Sequence, residues 1–285
     1  MILSNINQAH EYLPSLNLTL GNDRFTDFFR RAQEWLVRRV IGHDIEEALE
    51  AQIGQNQSDE HEQLRRLCQR VIAEKALLDA IPEMDMQLTE AGFAVQNNDD
   101  FSPASSQRVD RLMSKLPERI TADTDTLVRY LIDNSKEDVT GYSEWRGTEQ
   151  YKFLTSAFMP LHEDCSRFAP KPAETYDQFH AAIPIMAREM KKTAAYYVSA
   201  EEIDCLLEMY RDGEMLLDVH KSAIEHLKEV AVAAFFKDVK RARNAAVCAR
   251  DVMLSDPDSF KAFKESTAYA NKTIDLDGGK TVNFL

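Results

Sequence analysis

Apolar residues return every three or four positions along most of this sequence, which is the spacing of one face of an α-helix. The first apolar stripe runs through Phe25, Phe28, Phe29, Ala32, Leu36 and Val40. Further helical stripes cover about 60–81, 105–116, 121–133, 176–190, 200–212 and 215–250. Glycine and proline, which interrupt helices, number only 9 each among 285 residues. We therefore predict a mainly α fold, built as a helical bundle.

Proline, glycine and capping residues predict where several helices begin and end. Pro82 and Pro117 are expected to stop the helices that precede them, because proline lacks the backbone N–H and its ring clashes with the preceding turn. Ser199 opens the sequence Ser-Ala-Glu-Glu, a capping box that predicts a helix start, and Gly213 is expected to close that helix. The pattern over 215–250 is the longest, and we predict one central helix there.

The helical pattern weakens over 136–175, where two glycines and three prolines occur among many aromatic residues. We therefore predict an N-terminal helical half at 1–135, a connection at 136–175 and a C-terminal half at 176–285. The sequence at 70–80 resembles that at 229–239, which is compatible with two related halves. Chance similarity between two amphipathic helices explains the likeness nearly as well, so both explanations stay open.

Two segments, near 85–96 and 272–285, alternate apolar and polar residues with the period of two that strands show. Each segment has glycine between its two halves, Gly92 in the first and Gly278-Gly279 in the second, as short hairpin turns require. We therefore predict two short β-hairpins. An isolated two-stranded hairpin is only marginally stable in water, so each must pack on helices or pair with another strand.

The apolar residues of these segments are the predicted interaction residues. They are Leu88, Phe93, Val95, Phe101, Ile274, Val282 and Phe284. Exposed strand edges can add to the sheet of another subunit. The alternative is that the two hairpins pair with each other inside one chain, and the residues alone leave this choice open.

Charge and hydropathy narrow the range of partners. Asp and Glu number 48 against 34 Lys and Arg, a formal net charge of −14, which argues against strong or sequence-specific nucleic-acid binding. No apolar run approaches the roughly 20 residues of a membrane span, so no membrane partner is predicted. The first 14 residues lack the basic and apolar regions of a signal peptide, which predicts a cytoplasmic protein.

Catalytic motifs are absent from the sequence. Gly279-Lys280-Thr281 echoes the end of a phosphate-binding loop, but Ile274 stands where that loop needs its first glycine. His162-Glu163 lacks the second histidine of a zinc-protease helix. The four cysteines are far apart and predict neither a metal site nor a disulfide framework. We predict no catalytic, cofactor-binding or metal-binding residues, and no cofactor.

One segment carries a family resemblance. Gln87–Val95 reads QLTEAGFAV and is followed by Ser102-Pro103-Ala104-Ser105 and by Arg108-Val109. This combination resembles an uncharacterised family found in prophages and phages of gut Bacteroidales. The resemblance implies a virion structural part, such as a head–tail connector or neck adaptor. Its implied partners are the portal, other neck proteins or further copies of the chain, and its implied location is the host cytoplasm or the virion.

Two functional hypotheses follow. The first is a non-enzymatic virion structural or adaptor protein that acts through self-association or docking. The alternative is a hydrolase whose carboxylate or metal site is assembled from distant helices. A connector is expected to show exposed apolar strand edges and no concave pocket with converging acids, and an enzyme is expected to show the reverse.

Overall fold

The computed structural model describes residues 1–13, 22–51, 59–84, 87–89, 92–94, 106–134, 143–213, 216–270, 273–275 and 281–283. Helices make up most of these residues, so the predicted mainly α fold is confirmed. The chain divides into two compact units, Met1–Trp145 and Arg146–Leu285. A relation between two halves by duplication stays a prediction, as does the connection predicted at 136–175.

The first unit is built around one long helix that packs against two others. Helix α4 contacts both α2 and α5, and its residues Val71, Ile72, Ala73, Ala76 and Ala80 are completely buried. The helices are α1 (Ile6–His10), α2 (Asn22–Leu36), α3 (Gly42–Ala51), α4 (Asp59–Met84) and α5 (Ser106–Asn134), with a π-helical turn at Val37–Ile41. A 3₁₀ turn at Ser143–Gly147 spans the boundary between the units.

The expected helix end at Pro117 was wrong, whereas α4 ends at Met84, two residues after the expected end at Pro82. Pro82 lies inside α4, and Pro117 lies in the middle of the 29-residue helix α5. Interior proline costs about 3 kcal/mol, whereas burying one large apolar side chain contributes about 1.5–3 kcal/mol. Leu116 and Ile120, on either side of Pro117, are both buried, so packing of the two flanking turns outweighs the proline penalty.

The π-helical turn at Val37–Ile41 has no counterpart in the sequence prediction. The wider turn is closed by the N–H of Gly42, which donates to the carbonyl of Val37, and Gly42 takes the positive φ of 77°. The neighbouring carbonyl of Val40 accepts a hydrogen bond from Trp145 Nε1 at 2.8 Å. Trp145 is fully buried, so this bond satisfies a polar group that lies inside the core.

The second unit has its centre at α10, which packs against α8 and α11. Its helices are α6 (Glu149–Leu154), α7 (His162–Ser166), α8 (Tyr176–Val198), α9 (Ala200–Asp212), α10 (Asp218–Phe235), α11 (Val239–Ser255), α12 (Lys261–Lys264) and α13 (Thr267–Ala270), with a 3₁₀ turn at Pro257–Ser259. The prediction of one helix over 215–250 was wrong, because the chain breaks between α10 and α11.

Four short strands complete the described part. Strand β1 (Gln87–Thr89) pairs antiparallel with β2 (Gly92–Ala94), and β3 (Thr273–Asp275) pairs antiparallel with β4 (Thr281–Asn283). The connecting residues 90–91 and 276–280, and the side chains of all four strands, lie outside the described part. The hairpins near 85–96 and 272–285 therefore stay predictions as complete units.

Helix α9 begins and ends where the sequence predicts. The Ser199 side chain accepts a hydrogen bond from the N–H of Glu202 at 3.1 Å, and Gly213 takes the left-handed conformation with φ of 68°. A Cβ atom at Gly213 would overlap the guanidinium of Arg146, whose Nη1 donates to the carbonyl of Arg211 at 3.2 Å. Glycine is therefore favoured here by its conformation, whereas the overlapped guanidinium is the end of a flexible side chain that a Cβ atom would displace.

We expect Gly213→Ala to lower the free energy of unfolding by about 1–2 kcal/mol, because alanine is strained at positive φ and displaces Arg146. Gly147→Ala is the matched control, since a Cβ atom there meets no atom within 4 Å. Urea unfolding followed by circular dichroism measures both. Equal losses in the two variants would contradict the role assigned to Gly213.

Candidate functional site

A groove of about 740 Å³ lies in the second unit, where the last turns of α8 meet the start of α11. Residues spaced three and four apart on α8 form one wall. The end of α10, the connection that holds Lys237 and the first turns of α11 form the other. The lining residues are Glu189, Lys192, Thr193, Tyr196, Tyr197, Ala234, Lys237, Val239, Ala242 and Arg243. We call this the basic groove.

Three cations line the basic groove without carboxylate partners. Lys192, Lys237 and Arg243 make no ion pair within the residues that the structure describes. Glu189, the one acid in the lining, is already paired with Arg188 Nη2 at 2.9 Å. In a chain of net charge −14 this is a local excess of positive charge, which favours an anionic occupant.

Lys237 reaches the groove from a strained backbone position. Its φ is 60°, and it follows the C-terminal residue pair Phe235-Phe236 of α10. The N–H of Lys237 donates to Ala234 at 3.0 Å and that of Asp238 donates to Ala233 at 2.9 Å, the two bonds of a Schellman motif. Glycine is the residue usually found at this left-handed position, so the lysine there carries a backbone strain that glycine would not.

A second groove, of about 710 Å³, borders the first. Small side chains and two carboxylates line it, and Tyr196 belongs to the walls of both grooves. The lining residues are Ala195, Tyr196, Ser199, Ala200, Glu201, Ala262, Glu265, Ser266, Thr267 and Ala268. Glu201 and Glu265 have no ion-pair partner in the described part of the chain. We call this the acidic groove, and the two grooves together the Tyr196 face.

Tyr196 is the most exposed large apolar residue of the described chain. Its exposed fraction is 61%, that of Val239 in the basic groove is 57%, and the ring of Tyr196 meets that of Tyr197 edge-on at 5.2 Å. Tyrosine combines a large apolar ring with a polar hydroxyl and is enriched at the centres of protein interfaces. The face thus has an aromatic centre with opposite charges on its two sides.

Two buried charged residues, Arg250 and Glu202, form hydrogen bonds to backbone groups at or beside the Tyr196 face. Arg250 Nη1 donates to the carbonyl of Tyr197 at 3.0 Å and to that of Ala268, so one guanidinium joins a residue of the basic groove to one of the acidic groove. Burial lowers the pKa of Arg250. Glu202 accepts from the N–H of Phe263 at 2.8 Å, and burial raises the pKa of its carboxyl although this backbone bond opposes the shift.

A separate cluster of charges is buried in the first unit. Glu74 on α4 has no exposed surface, and Arg119 Nη2 on α5 lies 2.5 Å from its Oε1. Burial, followed by repulsion from the neighbouring Asp123, raises the pKa of Glu74 to about 7, and Arg119 opposes this shift. Arg70 Nη1 lies 3.5 Å from Asp123. This cluster can share a proton between two carboxylates, but Glu74 is closed to any substrate.

The predicted interaction residues are only partly described. Leu88 is the register partner of Phe93, and Ile274 is that of Val282, so each pair lies opposite across its strands. The remaining three, Val95, Phe101 and Phe284, lie outside the described residues. Strand addition through these residues stays a prediction.

Sequence reasoning missed the Tyr196 face. The spacing of Lys192 and Tyr196 on α8 was available as a signal, since residues four apart share a helix face. No pattern pointed to Lys237 or Arg243, because the break between α10 and α11 has no glycine or proline. Glu201 and Glu265 are far apart in the sequence and line the same groove only in the folded chain.

The described residues offer neither a cluster of metal ligands nor a membrane-spanning helix. No group of three or more His, Cys, Asp and Glu side chains there is placed to hold a metal ion. None of the described helices is long and apolar enough to cross a membrane. The four cysteines form no disulfide among the described residues, and Cys68 and Cys165 are buried whereas Cys205 and Cys248 are exposed.

Comparison with known proteins gives one match. Residues 32–154 match the model of a family of unknown function, DUF6712, so this segment is similar to an uncharacterised family. No curated protein and no solved structure matches the chain significantly. The matched segment includes Glu74, Arg119 and Asp123, whereas every residue of the Tyr196 face lies after it.

The raised pKa of Glu74 predicts a pH-dependent stability. Between pH of about 4.5 and about 7 the folded chain binds more protons at Glu74 than the unfolded chain does, so the stability contributed by Glu74 falls as pH rises. Relative to the wild type, Glu74→Gln should therefore gain about 1–3 kcal/mol of unfolding free energy between pH 5 and pH 8, at about 1.36 kcal/mol per pKa unit.

Urea unfolding of both proteins at the two pH values measures this gain. Glu118→Gln is the matched control, because its side chain on α5 is 62% exposed and its charge is screened by water. A Glu74→Gln difference that is the same at both pH values would contradict the buried, protonated state assigned to Glu74.

Proposed function

We propose that the chain is a non-enzymatic adaptor that works by binding other protein surfaces, and that the Tyr196 face is its docking site. The observation that supports this most is the exposed Tyr196 between three cations and two acids that have no ion-pair partner among the described residues. A large exposed aromatic side chain in a rim of charges has the composition of a protein interface. Exposed apolar side chains that lie together with a polar rim, as Tyr196 and Val239 do in the basic groove, are typical of interaction sites.

We further propose that the adaptor is a virion structural protein of the head–tail connector kind. The support is the resemblance of QLTEAGFAV and SPAS at 87–95 and 102–105 to proteins of prophages and phages of gut Bacteroidales. The match of 32–154 to a family of unknown function is compatible with that assignment. The net charge of −14 also suits a neck through which DNA passes without adhering. The portal and other neck proteins are the partners this role requires.

The hydrolase alternative has one observation in its favour. Glu201 and Glu265 line one groove, and two carboxylates are the minimum equipment for glycoside hydrolysis. The adaptor accounts for more of the surface, because it also uses the three cations and the exposed ring of the adjoining groove. A hydrolase would lose turnover in Glu201→Gln and Glu265→Gln, whereas an adaptor has no turnover to lose.

The adaptor proposal predicts that the chain is a fixed component of phage particles. Quantitative mass spectrometry of particles induced from the host should find it at a constant ratio to the portal protein across preparations. Deleting its gene should yield heads and tails that are not joined, visible by electron microscopy, because the connection between them is missing. Particles that lack the chain, or joined infectious particles from the deletion strain, would refute the connector role.

A further inference from the structure

The two grooves of the Tyr196 face complement each other in charge. The basic groove carries three cations and the acidic groove two carboxylates, and none of these five groups has an ion-pair partner among the described residues. Because Tyr196 contributes to both grooves, the opposite charges are neighbours on one continuous surface. Such a surface is complementary to a copy of itself turned by half a revolution.

We infer that the occupant of the Tyr196 face is a second copy of this chain, related to the first by a two-fold axis close to Tyr196. This operation places the basic groove of each copy against the acidic groove of the other, so every attraction occurs twice. The inference names one partner of the proposed adaptor and in that sense rests on the proposed function. Its test is independent of phage particles.

Size and shape fit this arrangement. The acidic groove is lined by small side chains, including Ala195, Ala200 and Ala262, and its volume of about 710 Å³ leaves room for a tyrosine ring from the partner copy. In the dimer, the exposed ring of Tyr196 and the exposed side chain of Val239 would be removed from water in each copy. Aromatic residues in such central positions carry much of the binding energy of protein interfaces.

The placement of the charges favours a closed pair over a ring or filament. Head-to-tail assemblies use two separate patches on each subunit, because each subunit meets a different neighbour with each patch. Here the two complementary grooves adjoin and share Tyr196, so a partner that covers one also reaches the other. A self-complementary patch of this kind closes after two copies.

The wild-type chain should therefore form a dimer of about 65 kDa, twice the 32.6 kDa of one chain. Analytical ultracentrifugation from about 1 to 100 µM covers the affinity range expected for a modest interface. Raising NaCl from about 0.15 M to about 0.5 M should weaken the dimer, since it screens the charge pairs. A chain that stays monomeric at every concentration would overturn the inference and leave the face to a different partner.

Exchange of charges tests the two-fold pairing. Lys237→Glu with Arg243→Glu makes both grooves acidic, and Glu201→Lys with Glu265→Lys makes both basic, so each double variant should dimerise at least about tenfold more weakly than wild type. An equimolar mixture of the two double variants should restore dimers, because each basic groove again meets an acidic one. A quadruple variant that carries all four changes should restore homodimers. Failure of both restorations would contradict the pairing.

Two controls separate this effect from general changes. Lys171→Glu with Lys221→Glu alters net charge by the same amount as Lys237→Glu with Arg243→Glu, on exposed lysines that line neither groove, and it should leave the dimer unchanged. Tyr196→Ala should weaken the dimer, whereas Leu217→Ala, which removes an exposed apolar side chain outside both grooves, should not.

Lys237→Gly should raise the stability of the folded chain and weaken its dimerisation. Glycine relieves the backbone at φ of 60°, so the variant should unfold at higher urea concentration than the wild type. It also removes one cation from the basic groove, so it should dimerise more weakly. A variant that is both more stable and equally dimeric would show that Lys237 has no part in the interface.

The result also separates this inference from the proposed function. Charge-dependent dimers, together with particles that lack the chain, would support the pairing and refute the connector role. Monomers in solution, together with a fixed ratio to the portal in particles, would refute the pairing and support the connector role.

Discussion

The geometry of the Tyr196 face depends on one buried guanidinium. Arg250, only 1% exposed, donates to the carbonyls of Tyr197 and Ala268 and lies with its Cζ 5.6 Å from the centre of the Phe263 ring. Taking a charge out of water is costly unless polar groups replace the lost hydration. The two carbonyls lie near the ends of α8 and α13, where helix carbonyls have no partner within the helix. Arg250 therefore satisfies two helix ends at once and fixes the walls of both grooves relative to each other.

The two units use charge in different ways. In the first unit Glu74, Arg119 and Asp123 are gathered between α4 and α5, so their effect is on folding and its pH dependence. In the second unit the unpaired charges lie on the surface, where they are available to a partner. The segment similar to a family of unknown function, 32–154, contains the buried cluster and ends before the surface one. The Tyr196 face therefore lies wholly outside the segment that is similar to that family.

The sequence was a good guide wherever one amphipathic stripe decided the structure. The stripe of Phe25 and its neighbours, the cap at Ser199 and the end at Gly213 depend on contacts within a few residues, which the local pattern encodes. Pro117 misled because the burial of Leu116 and Ile120 is a tertiary contribution that exceeds the local cost of proline. The helix break at Lys237 could not be predicted, because this residue follows α10 in a left-handed conformation that usually requires glycine. The candidate site gathers residues from six helices, α8 to α13, and could not be read from any single segment.

Because the net charge is −14, self-association depends on two opposing electrostatic interactions, a long-range repulsion and a short-range attraction. Two copies repel each other over long distances, whereas the groove charges attract only at contact. At an ionic strength of about 0.15 M the screening length is about 8 Å, which removes most of the long-range repulsion while pairs in contact keep much of their attraction. Very low salt restores the repulsion, and high salt weakens the pairs. Association through the Tyr196 face should accordingly be strongest at intermediate salt, whereas association by apolar contacts alone would strengthen steadily as salt rises. The salt profile of the dimer thus reports directly on whether opposite charges lie across the interface.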